Sequence, residues 1–141
     1  MTRVFLADPQ AEERSALRLL LNDIKITVVG EAADWPAALT QIPLSCSDMV
    51  LIDRDLLPSD PCQALTKLRA SCSRLVYIIL LLNTLDFRQE VELASAADLL
   101  INKQESPQRI AERLRLAACS ACSRPLNPGV VTSINAKKRI P

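Results

Sequence analysis

The chain has 141 residues, 49% hydrophobic and 23% charged, and its 17 basic and 16 acidic side chains leave a formal charge of +1. That is the material of one globular domain, able to bury roughly 70% of its unfolded surface without disulfides or structural metal, and its balance gives no global field toward nucleic acid or an anionic membrane. The absence of histidine excludes Ser-His-Asp and Cys-His catalysis and the usual zinc and haem sites, leaving carboxylates, lysine, hydroxyls and thiols to carry any chemistry.

The first apolar run, Val4-Phe5-Leu6-Ala7, is stopped by Asp8. It is too short for the core of an export signal and reads as a strand. Leu17, Leu20, Leu21 and Ile24 then recur at helical spacing, followed by a second strand at Ile26-Thr27-Val28-Val29 and a second helical stripe of Trp35, Ala38, Leu39 and Ile42. Met49-Val50-Leu51-Ile52 is the third strand and runs into Asp53. Asp60-Pro61 supplies a cap and a first-turn proline for a third helix striped by Leu65, Leu68 and Cys72. Leu75 to Leu82 is the fourth strand and the longest apolar run, too short to span a bilayer. Phe87, Val91 and Ala94 mark a fourth helix and Leu99-Leu100-Ile101 a fifth strand, before Ser106-Pro107 opens a fifth helix striped by Ile110, Leu114, Ala117 and Ala121. No strand alternates apolar with polar, so all five are expected to be buried on both faces.

Strands alternating with helices require right-handed crossovers, which put helices on both faces of a parallel sheet. The expected fold is α/β, a flavodoxin-like doubly wound five-stranded parallel sheet in the order 2-1-3-4-5 with five helices. Residues 1–122 form the domain, and 123–141, with Pro125, Pro128, Gly129 and Pro141, read as a flexible C-terminal tail. The five cysteines, an odd number in a chain read as having no export signal, are expected to be reduced thiols of a soluble cytoplasmic protein. Cys119-Ser120-Ala121-Cys122 has the spacing of a redox or metal pair, yet it closes a helix instead of opening one and is expected to be two ordinary small thiols. With two glycines there is no phosphate-cradling loop, and the single Trp, single Tyr and two Phe make no stacking platform for nucleic acid. The basic end Lys137-Lys138-Arg139 reads as solvated.

In an open parallel sheet the residues after each strand gather at one edge, where such folds bind ligands. Asp8 follows strand one, Asp53 strand three and Lys103 strand five. In the order 2-1-3-4-5 they converge. Two repelling carboxylates there suit a hard divalent cation such as Mg²⁺, which would neutralise a phosphoryl group carried by an aspartate while Lys103 pairs with a phosphoryl oxygen. The alternative, that Asp8 and Asp53 only end strands and cap the helices or turns after them, stays open.

These residues resemble the receiver domains of two-component response regulators, particularly those preceding LuxR-type DNA-binding domains. The resemblance rests on Arg3-Val4-Phe5-Leu6-Ala7-Asp8, Val28-Val29-Gly30-Glu31-Ala32-Ala33-Asp34, Asp48-Met49-Val50-Leu51-Ile52-Asp53, and Ala97-Asp98 through Lys103 with Ser106-Pro107. It covers residues 3 to about 118. It implies Asp53 as phosphoacceptor, Asp8 and Asp53 as Mg²⁺ ligands with the main-chain carbonyl of Asp55, and Lys103 as the phosphoryl contact. It also implies a histidine kinase or phosphotransfer protein as donor, a second copy of the chain as a candidate partner, and no turnover activity.

The sequence departs from the family in four places. Pro9 stands where a second acid is expected, so Mg²⁺ binding should be weakened. The hydroxyl ending strand four falls at Leu81 or Leu82, with Thr84 as its displaced candidate. Leu100 replaces an aromatic in strand five, and Pro58 lies one position late in the loop after the acceptor. The rival expectation is therefore a pseudo-receiver, an interaction or dimerisation module independent of phosphorylation. A flavin or other small-ligand carrier is disfavoured for want of Ser, Thr and Gly in the loops. The chain stops before any helix-turn-helix, so direct DNA binding is not expected of it, nor is membrane association.

Overall fold

A computed structural model describes residues 2–83 and 87–122; Thr84 and the expected tail at 123–141 lie outside the described residues. The strands are β1 (Arg3–Ala7), β2 (Thr27–Ala32), β3 (Met49–Asp53), β4 (Tyr77–Leu82) and β5 (Leu99–Asn102). They pair in parallel in the order β2-β1-β3-β4-β5. The helices are α1 (Ala11–Asp23), α2 (Trp35–Ser45), α3 (Pro61–Ser71), α4 (Phe87–Ala94) and α5 (Pro107–Cys122), with a short 3₁₀ turn at Arg54–Leu56. This is the flavodoxin-like doubly wound arrangement, in which every crossover from strand to parallel strand carries a helix.

Successive strand residues point to opposite faces, so the apolar runs feed two cores at once. Phe5, Val50, Ile52, Ile78 and Leu80 pack with Ile42 of α2, Leu65 and Leu68 of α3, and Leu93 of α4. On the other face Val4, Leu6, Leu51, Ile79 and Ile101 pack with Leu21 of α1 and with Ile110, Leu114 and Ala117 of α5. Asp34 and Asp60 cap α2 and α3 by accepting from the amides of Ala37 and Gln63 at 2.9 and 3.1 Å. The Ser106 hydroxyl does the same for Arg109 at 3.2 Å.

Four expectations change. Only β1, β3 and β4 are buried throughout their central residues; β2 and β5 are half-exposed because each has a neighbour on one side only. Among the described side chains of α4 Leu93 is buried, whereas Val91 and Ala94 are exposed; the side chain of Phe87 lies outside the described ones. A position two residues from Val91 turns about 200° around a helix, so with Leu93 inward Val91 faces away from the sheet. Strand β4 begins at Tyr77, not Leu75, because its ladder with β3 starts at Met49–Tyr77. Strand β2 continues through Gly30 to Ala32. At Gly30 a Cβ would lie 2.6 Å from the buried ring of Phe5, so the absent side chain is what lets the ring pack across β2 beside the register shift between Val4 and Phe5.

Candidate functional site

Strands β1 and β3 are neighbours with Ala7 opposite Ile52, so the residues that leave them, Asp8 and Asp53, emerge side by side on one rim. Both carboxylates are almost fully buried, at 1% and 2% exposure. Each spends one oxygen on a backbone amide. Asp8 Oδ1 accepts from Gln10 N at 2.8 Å, and Asp53 Oδ1 accepts from Asp55 N at 2.7 Å. The other oxygen of each faces inward, where the Lys103 ammonium donates to Asp8 Oδ2 at 3.0 Å and also to Asp53 Oδ2. Lys103 leaves β5 with its amide bonded to the carbonyl of Leu82 at 2.8 Å, which aims the side chain back across the rim.

A third carboxylate joins them. Glu13, on the first turn of α1, also accepts from Lys103 Nζ. One oxygen from each of Asp8, Glu13 and Asp53 lies within 4.8 Å of the others. The first turn of α1 is tied to the rim by Arg14, which donates to the Asp8 carbonyl at 2.6 Å and pairs with Glu31 at 3.3 Å. Burial works against the charge on Lys103, yet its hydrogen bonds to Asp53, Glu13 and Asp8 outweigh that cost and hold its pKa above the ordinary lysine value. Three carboxylates against one ammonium leave a formal excess of two negative charges in a largely water-excluded place. The donor set, all hard carboxylate oxygen at close quarters, fits a small divalent cation such as Mg²⁺.

The structure thus brings together Asp8, Asp53 and Lys103, as the strand order 2-1-3-4-5 requires. Asp55 sits at the same rim, its amide on Asp53 and its carboxylate accepting from Asn83 Nδ2 at 3.1 Å. Leu81 is buried directly opposite Asp53 across the β3–β4 ladder and offers no hydroxyl. The side chain of Leu100 packs on the core shared with α2, α3 and α4, and its carbonyl accepts from Arg113 at 2.7 Å. That bond, with one to Glu105 at 2.7 Å, makes Arg113 a half-buried clamp and not the wholly water-facing residue its charge suggests. Glu13 escapes a reading by strand ends, because Glu12 and Glu13, two acids in a first helical turn, look like ordinary dipole complements. Asp8 lies outside α1, five residues before Glu13, so no helical spacing joins the two and the sequence carries no signal that they meet. Of the thiols, Cys46 and Cys119 are exposed and Cys62 half-exposed, while Cys72 is buried among apolar side chains and its pKa is pushed up by that burial against the opposing pull of Arg69.

The buried acids and the amine lie at the carboxyl-end rim of an open parallel α/β sheet, where doubly wound folds bind their ligands. Comparison with solved structures narrows the architecture. The receiver domain of AraT, a response regulator from Geobacillus stearothermophilus, matches with a TM-score of 0.71 at 22% identity over 84% of this chain and 94% of that one. A LuxR-family DNA-binding response regulator from Staphylococcus aureus matches with a TM-score of 0.73 at 14% identity, over 84% of this chain and 99% of that one. A Rhodopirellula baltica protein described as an adenylate cyclase matches with a TM-score of 0.73 at 15% identity over 99% of both chains. No protein-family model matches the sequence. No curated protein matches it either. The chain has the fold of response regulator receiver domains, with a sequence far removed from theirs. Among the described residues no helix is long and apolar enough to cross a membrane.

Proposed function

We propose that this chain is a signal receiver that accepts a phosphoryl group on Asp53 and transmits the change through protein contacts. The observation that carries the reading is the convergence of two buried carboxylates, Asp8 and Asp53, on the single ammonium of Lys103. In the proposed step a carboxylate oxygen of Asp53 attacks the phosphorus of a donor. A new O–P bond forms, the bond to the donor's leaving group breaks, and that group departs with the electron pair. Lys103 then pairs with a phosphoryl oxygen in place of the carboxylate it now holds. Asp8, Asp53 and the main-chain carbonyl of Asp55 would hold Mg²⁺, which when bound would supply charge neutralisation for the incoming phosphoryl group. The donor would be a histidine kinase or phosphotransfer protein. The role is that of a stoichiometric switch and not of a turnover enzyme, in a cytoplasmic setting, with residues 1–122 as the receiver unit.

The test is intact mass after incubation with Mg²⁺ and acetyl phosphate. Wild type should gain one phosphoryl mass, about 80 Da, and Asp53→Asn none. Failure of wild type to gain mass under saturating donor overturns the phosphoacceptor role. Equal gain by the variant assigns the phosphate to another residue.

A second reading draws support from Leu81, which puts a buried hydrocarbon where the phosphoryl-sensing hydroxyl of the family belongs. In that reading the sheet presents its helices to a partner, or to a second copy, whatever the state of Asp53. A partner complex whose affinity is the same for wild type, Asp53→Asn and the phosphorylated protein would favour it.

A further inference from the structure

We propose that Glu13, reaching in from α1, is the third carboxylate of the divalent-cation site and takes over the place in which Pro9 offers none. This inference rests on the receiver reading above and sharpens its metal site. Pro9 has no side-chain oxygen and lies exposed, so the loop after β1 contributes Asp8 alone. Glu13 compensates from the adjoining helix: its carboxylate lies within 4.8 Å of those of Asp8 and Asp53 and shares their cation, Lys103.

Two further features favour a metal over a merely structural ion pair. The inward oxygens of Asp8 and Asp53 have no backbone donor, since the opposite oxygen of each takes the amide. One ammonium cannot neutralise three acids, and two of these are buried, where an uncompensated charge is costly. One divalent cation removes the formal excess. The position of Glu13 is set in advance, because Arg14 locks the first turn of α1 to the Asp8 carbonyl and to Glu31. Glu13 is also the most open of the three acids, at 33% side-chain exposure, so the cation enters past it and can keep waters on that side.

The experiment measures Mn²⁺ binding to the full chain by loss of the free-ion electron paramagnetic resonance signal, with Mg²⁺ as competitor. The proteins are wild type, Glu13→Gln, Glu12→Gln, Asp53→Asn and the double variant Pro9→Asp/Glu13→Gln, each checked for folding by thermal unfolding without metal. Glu13→Gln should lose affinity about tenfold or more, because affinity at such sites follows the number of charged ligands. Its exposed neighbour Glu12→Gln should not change, and Pro9→Asp should restore binding to the Glu13→Gln chain. Wild-type affinity in Glu13→Gln, together with a loss in Asp53→Asn, overturns the role of Glu13 and leaves the receiver reading standing. Absence of Mn²⁺ binding by wild type overturns the metal site as a whole.

Discussion

Lys103 is the residue on which the rim depends, because one ammonium on a flexible stem contacts all three acids: Asp8 after β1, Glu13 on α1 and Asp53 at the end of β3. Its removal leaves Asp8 and Asp53 buried without a counter-charge, and breaking a buried pair from one side costs about 3–5 kcal/mol. Lys103→Met should therefore lose about 3 kcal/mol in urea denaturation, far more than an exposed lysine would. Gly30 is sensitive for a steric reason. A Cβ there would sit 2.6 and 2.8 Å from two ring carbons of Phe5, a side chain with no room to move. Gly30→Ala should destabilise by about 1–3 kcal/mol, the usual cost of overpacking. A double-mutant cycle with Phe5→Leu should recover much of that loss, and an additive result would rule out the clash as its cause.

At the level of elements, caps and stripes decide where each helix starts and which way it faces. α2 and α3 each begin with an aspartate that accepts from an amide three residues on, followed by a proline in the first turn. Asp60→Ala should cost about 1 kcal/mol, and Asp34→Ala a similar amount, read from shifts in the denaturation midpoint at unchanged slope. Gln10, before α1, makes no such side-chain bond, and that helix is anchored instead by Arg14. The Asp60 and Ser106 caps were legible because an acid or hydroxyl directly before proline has few other roles. The facing of α4 was not: an eight-residue helix offers barely two turns of pattern, and one misplaced apolar residue rotates the inferred face.

For the whole molecule, two apolar layers on either side of one sheet make stability a shared property, so a buried ionisable group anywhere in it gives the fold a pH dependence. Cys72, at the end of α3, is buried in the layer formed by α2, α3 and α4, and burial raises its pKa. The native state keeps this thiol protonated, while the unfolded chain releases the proton near the ordinary value of about 8.5. Its contribution is fully present below that pH and is lost as pH rises through the range above it, at no more than about 1.4 kcal/mol per pH unit. Denaturation at pH 7.5 and pH 9.5 should show a larger fall for wild type than for Cys72→Val. An identical fall in both proteins would remove Cys72 as the cause.

Pattern along the chain was enough to establish the order of elements, the doubly wound parallel class, and the candidacy of Asp8, Asp53 and Lys103. Each is a local matter: apolar runs without alternation, helical stripes between them, and charged residues placed where strands stop. Packing in three dimensions was needed to show that Glu13 shares the cation of the two aspartates, that β2 and β5 lie half-open at the sheet edges, and that Gly30 makes room for Phe5. Those outcomes depend on how far apart separate elements come to rest and at what rotation, and no spacing along a single chain encodes a distance between two of its folded parts.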